Sequence, residues 1–130
     1  MTGTSGVTAR PEVKELITFF YYEDLEKAAK FYQEVMGFEL VVDQGFAKIF
    51  KVANSAYMGV VDEKKGAHRA NPIKPVELTV IVSDPDAWYV YLKEKGIQPI
   101  SEPRTIEALN LRMFLLNDPE GYLIEIQKFL

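Results

Sequence analysis

The chain writes one order of elements twice, and this repetition limits the folds open to it more than any other feature. From Glu15 to Tyr22 the run ELITFFYY is rich in β-branched and aromatic residues, which favours a strand. Glu23 and Asp24 then open a helix whose apolar positions, Leu25, Ala28, Ala29, Phe31, Tyr32 and Val35, recur at helical spacing until Gly37 ends it. Short strands follow at Phe38–Val42, Phe46–Val52 and Ala56–Val61, spaced closely enough for an antiparallel meander. After a polar stretch the order returns. A strand is expected at Val76–Val82, a helix over Asp84–Lys95 closed by Gly96, and strands at Ile97–Ile100, Leu111–Leu116 and Tyr122–Gln127. When the helices are superposed, Asp24 falls on Asp84 at an offset of 60 and Gly37 on Gly96 at an offset of 59, so the second helix is one residue shorter. Each unit reads βαβββ.

One such unit leaves a sheet face uncovered, whereas two can complete a curved mixed sheet around a cup with the helices outside, an α+β architecture that implies a pocket. Residues 1–12 read as a flexible leader and 13–130 as a single domain, with units at about 13–62 and 75–130 joined by a charged, proline-broken linker over 63–74. Composition then removes several kinds of chemistry. The chain has no cysteine, hence no disulfide, thiolate zinc site or cysteine nucleophile, and its one histidine, His68, rules out a two-histidine metal motif. His68 lies in the linker between Lys65 and Arg69 and reads as a surface residue. A net charge of −4 argues against nucleic acid as a partner. The sequence has no apolar run of membrane-spanning length and no secretory signal, so no membrane partner and a cytoplasmic location are expected.

The stretches Asp24-Leu25-Glu26, Phe31-Tyr32 and Gly37-Phe38-Glu39, and the closing Asn117-Asp118-Pro119-Glu120-Gly121-Tyr122-Leu123-Ile124-Glu125, resemble the vicinal oxygen chelate superfamily, which includes glyoxalase I, bleomycin-resistance proteins and extradiol dioxygenases. The hairpin has its own physical reason, since proline suits the second position of a type I turn and glycine the fourth. The resemblance implies a divalent metal held by four positions, one on the first and one on the last strand of each unit. Their equivalents in this chain are Ile17, Glu77, Gly59 and Glu125. Ile17 and Gly59 have no donor side chain, which leaves the two carboxylates.

Strand parity places Glu77, Thr79 and Ile81 on one face and Leu78, Val80 and Val82 on the other, towards the helix carrying Trp88 and Leu92. Glu125 takes the cup-facing parity of the last strand. The pair would act as catalytic groups or as ligands for a hard ion such as Mg²⁺ or Mn²⁺, if a metal binds. One carboxylate in an apolar cavity could instead serve as general base or cation acceptor. Both could also be inert strand carboxylates. Phe19, Tyr21, Lys48, Tyr57, Thr79 and Arg112 are the further candidates for ligand contact, with Arg112 able to hold an anion bidentately or to pair with a glutamate.

Two functions of different class follow. The first is a binder of a small, flat or cationic organic molecule, similar to the bleomycin-resistance proteins, with no cofactor or only a weakly bound divalent metal. The second is a metal-dependent lyase, isomerase or dioxygenase acting on a substrate with vicinal oxygens. A domain kept only for interaction, with a filled cup, is a third. Exposed sheet edges favour a homodimer.

Overall fold

A computed structural model of the chain describes residues 9–130. Most of the expected leader lies outside the described residues, and 9–15 carry no helix or strand. The first unit comprises β1 (Leu16–Tyr22), α1 (Leu25–Lys30), β2 (Glu39–Asp43), β3 (Ala47–Ala53) and β4 (Ala56–Asp62). In the second are β5 (Glu77–Ile81), α2 (Pro85–Glu94), β6 (Arg104–Ile106), β7 (Leu111–Asn117) and β8 (Leu123–Phe129). Each makes a four-stranded mixed sheet, ordered β1-β4-β3-β2 and β5-β8-β7-β6, in which the first and last strands of the unit run parallel and the rest antiparallel.

Both helices start as the sequence dictates. The Asp24 carboxylate accepts the Lys27 backbone N–H at 3.1 Å, and that of Asp84 accepts the Ala87 N–H at 3.0 Å, with Pro85 in the first turn where its missing N–H costs nothing. Both are followed by a glycine at positive φ, Gly37 at 74° and Gly96 at 85°. The first helix ends differently from a simple α-helix, continuing over Phe31–Val35 as a π-helical turn. Such a turn frees carbonyls from the regular ladder. The Tyr91 hydroxyl donates to Val35 O, a carbonyl at the end of that turn, at 2.7 Å and ties α2 to the end of the first helix.

A single core joins the two halves. Tyr22, Phe50, Met58 and Val60 from the first sheet meet Phe114, Leu116, Ile124 and Ile126 from the second, with Tyr32 and Leu92 of the helices among them. The helix-covered face of each sheet is therefore turned inward, and the opposite, open face carries exposed side chains such as Ile17 and Phe19 beside buried ones such as Ile49 and Met113. The expected strand at Ile97–Ile100 is absent. Pro99 cannot donate to a ladder, and the segment instead attaches through Ile100 N–H to Leu115 O at 2.8 Å, while the edge strand forms later, at Arg104–Ile106. The segment between the units is not merely solvated. The Glu63 carboxylate accepts the Ala70 N–H at 3.1 Å, and the Arg69 guanidinium donates to Glu63 O at 2.7 Å.

Candidate functional site: the open sheet faces

Register decides which side chains reach the open faces. In the first sheet Phe19 pairs with Gly59 and Ile17 with Tyr57, placing Ile17, Phe19, Tyr21, Ile49 and Tyr57 opposite to the core residues Phe20, Phe50 and Met58. Ile17 is 38% and Phe19 41% exposed, large values for apolar side chains within strands. Ile17, Val42, Ile49 and Tyr57 line a shallow apolar cavity of about 240 Å³ with Glu15 at its edge. Glu15 pushes the Tyr57 phenol above its ordinary value, through hydrogen bonding first.

In the second sheet Thr79 pairs with Glu125, and its hydroxyl donates to Glu125 Oε1 at 3.2 Å. Glu77, two residues before Thr79, shares that face. The two sheets match position for position. Ile17 and Glu77 each stand two residues before Phe19 and Thr79, whose partners on the last strand of the unit are Gly59 and Glu125. The pattern inferred from the sequence is thus reproduced by the backbone, with Glu77, Thr79 and Glu125 together on one open face and Ile17, Phe19, Tyr21 and Tyr57 on the other.

Lys48 and Arg112 require correction. Lys48 pairs with Val60 and has the parity of Phe50, which puts it on the helix-covered face. There its ammonium meets Asp43 at 3.0 Å and Glu26 of α1 at 3.9 Å, away from the aromatic wall. The Gly45 N–H first, and Lys48 second, hold the Asp43 carboxyl below its ordinary value. Arg112 does share the parity of Phe114 and Leu116, but that parity faces α2. Its Nε and Nη2 donate to the two Asp86 carboxylate oxygens at 2.7 and 2.8 Å, and Nη1 donates to Thr105 Oγ1 at 3.1 Å. The bidentate bond holds the Asp86 carboxyl down and the guanidinium up. Arg112 is therefore a strap between α2 and the sheet. Arg112→Met should leave ligand binding unaltered and shift the melting temperature by no more than about 3 °C, since exposed ion pairs contribute little; calorimetry and a binding titration on the same sample check both.

Other features escaped the sequence reading. Arg104 pairs with Met113, and so lies on the open face of the second sheet, on an edge strand that strand propensity did not reveal. His68 is exposed, as expected, but stands edge-on to the Tyr21 ring with the ring centroids 5.1 Å apart. The largest omission is Asp118, the turn aspartate, which is only 5% exposed. Its Oδ2 accepts the hydroxyls of Tyr22 at 2.5 Å and Tyr32 at 2.8 Å, and its Oδ1 accepts the N–H groups of Glu120 and Tyr122, each at 2.9 Å. The same turn grips the first unit, where Glu120 accepts the Glu23 and Asp24 N–H groups and the Tyr122 hydroxyl bonds both the N–H and the carbonyl of Tyr21.

The donor set does not fit the superfamily's divalent metal. Ile17 has no donor atom, Gly59 has no side chain, and among the described residues no group of three or more histidine, cysteine or carboxylate side chains converges. The chain belongs to the Glyoxalase/Bleomycin resistance protein/Dioxygenase superfamily, whose sequence pattern it matches over residues 16–126. It is 26% identical over 117 residues to the uncharacterized protein YraH of Bacillus subtilis (strain 168), covering 82% of this chain and 91% of that one. Among solved structures it is similar to a lactoylglutathione lyase from Agrobacterium tumefaciens, with a TM-score of 0.73 at 19% identity, over 91% of this chain and 95% of the other. It is also similar to a glyoxalase/bleomycin resistance protein/dioxygenase from Nocardioides, with a TM-score of 0.70 at 22% identity, over 97% and 88% of the two chains. At such identities the structural likeness concerns the fold. No helix among the described residues is long and apolar enough to cross a membrane.

Proposed function

We propose that this protein is a binder of a small, flat or cationic organic molecule, held between the open sheet faces of two copies in a homodimer and without the superfamily's full metal site. The observation that carries the reading is the contrast between the two faces. One has Ile17 and Gly59 at the positions where a metal site would need donors, with Phe19 and Tyr57 paired beside them, and the other keeps Glu77 and Glu125 beside Thr79. Rings and carboxylates together suit an organic cation through stacking and ion pairing. Because both helix-covered faces are spent on the common core, the open faces of one chain point away from each other. A second copy brings the acidic face of one chain over the aromatic face of the other, and a two-fold axis then makes two equivalent cups.

Calorimetric titration with a panel of cations, with acridine orange as the planar member and tetrabutylammonium as the non-planar one, tests the reading. One site per chain is expected, weakened at least about tenfold in Glu125→Gln by loss of the paired charge. Sedimentation should give a dimer at micromolar concentration. Because each cup would use both chains, mixing Phe19→Ala with Glu125→Gln should restore about a quarter of the sites that either homodimer lacks. Absence of heat across the panel, or a stable monomer, overturns the proposal. Stoichiometric Mn²⁺, Fe²⁺, Ni²⁺ or Zn²⁺ in the native chain, lost in the Glu77→Gln, Glu125→Gln double variant, would favour instead a metal-dependent lyase, isomerase or dioxygenase.

A further inference from the structure

The first open face contains a contact that a vacant ligand position would not require. A Cβ built on Gly59 would lie 2.5 Å from both Cδ1 and Cε1 of Phe19, and 3.4 Å from the Lys48 carbonyl oxygen. Two adjacent ring carbons thus occupy the space that any side chain at 59 would enter, so the ring lies across β4 rather than standing away from the sheet. Phe19 nevertheless remains 41% exposed as a residue. The equivalent pair in the second unit, Thr79 and Glu125, is polar and hydrogen-bonded at 3.2 Å. One backbone register therefore carries opposite chemistry in the two halves.

We infer that Phe19 and Gly59 form a stacking platform that selects a planar ring in the ligand, with glycine at 59 required so that the phenyl group can lie down on the sheet. The inference rests on the proposed ligand site and specifies it further. Phe19 would supply the contact surface, because an aromatic face favours offset stacking with another flat ring and gains less from a bulky aliphatic group. Gly59 would act only through Phe19, as a positioning residue. The same packing shuts the first-half position to a metal ligand, because a carboxylate or imidazole at 59 could enter only by displacing the ring.

The test uses acridine orange and tetrabutylammonium as probes of equal charge. Phe19→Leu keeps an apolar side chain on an exposed strand position, and should weaken acridine orange by about fivefold to tenfold while leaving tetrabutylammonium within about twofold. Gly59→Ala should weaken acridine orange to the same degree by lifting the ring. In the Phe19→Ala background, adding Gly59→Ala should cost nothing further in binding. A ligand-free readout runs beside it. Gly59→Ala should lower the melting temperature of the otherwise native chain but not that of Phe19→Ala, because the collision exists only with the ring present. Binding of tetrabutylammonium but not acridine orange, or unchanged acridine orange affinity in Phe19→Leu, overturns the platform and leaves the ligand site standing. Absence of binding by both probes and by the rest of the cation panel overturns both. Equal melting losses from Gly59→Ala in the two backgrounds would refute the seating of the ring whatever the ligand does.

Discussion

Replacing Asp118 by alanine is expected to destabilise the protein by about 4 kcal/mol, a fall of roughly 15 °C in melting temperature. The loss is large because one carboxylate answers four donors. Without it the Tyr22 and Tyr32 hydroxyls, both on buried rings, keep only each other at 3.3 Å, and the Glu120 and Tyr122 N–H groups of the turn lose their acceptor. Each stranded donor costs about 1 kcal/mol or more. Asp118→Asn preserves an acceptor for the turn and a polar partner for the hydroxyls, so it should cost less than half as much. Urea unfolding of the three proteins checks the order, and a loss of under about 1 kcal/mol for alanine would show that the network contributes little.

The second large effect is alkaline sensitivity. Burial, then the neighbouring Tyr32 and Asp118, pushes the Tyr22 phenol far above its ordinary value, and burial followed by Asp118 does the same to Tyr32. A raised folded pKa means that stability is complete below the unfolded value near 10 and is lost as pH rises above it, because the unfolded chain releases protons that the native one keeps. Each such group contributes a slope of up to about −1.4 kcal/mol per pH unit above about pH 10, and Tyr122, raised by burial, adds to it. Tyr32→Phe should make the slope shallower. Denaturant melts at pH 9, 10.5 and 11.5 measure it, and a flat profile over that span would contradict the burial of both hydroxyls. Neither effect should appear in ligand affinity at neutral pH, which separates this buried network from the open faces.

The architecture was legible in the sequence because several independent local signals agreed. The caps Asp24 and Asp84 and the glycines 37 and 96 fall where the duplicated pattern puts them, and the proline-glycine turn at 118–121 falls where its own turn chemistry does. Parity was legible on β1, β5 and β8, where apolar burial alternates clearly: Phe20 and Tyr22 are inward, as are Val80, Ile124 and Ile126. It was ambiguous on β3 and β7. Ala47, Ile49, Leu111 and Met113 are buried on the open side, while Phe50, Phe114 and Leu116 are buried on the helix side. With both faces apolar, alternation could not tell where Lys48 and Arg112 point, and only pairing with Val60 and the contact with Asp86 decides it. The Asp118 network was hidden for another reason. Its tyrosines are 96 and 86 residues away in sequence, and a turn aspartate is expected on the surface.

The grip of the 118–122 turn on β1 and α1 also sets an order of events during synthesis. The first unit can pair its own strands as soon as residue 62 is made, but the acceptor for Tyr22 and Tyr32, the carboxylate over the Glu23 and Asp24 N–H groups, and the hydroxyl beside Tyr21 all arrive more than fifty residues later. Contacts of such separation form late and slowly. At ordinary elongation rates of about 5–20 residues per second, a ribosome-bound chain would therefore hold an unfinished first half for several seconds, with the tyrosines of its future core open to water and to neighbouring nascent chains.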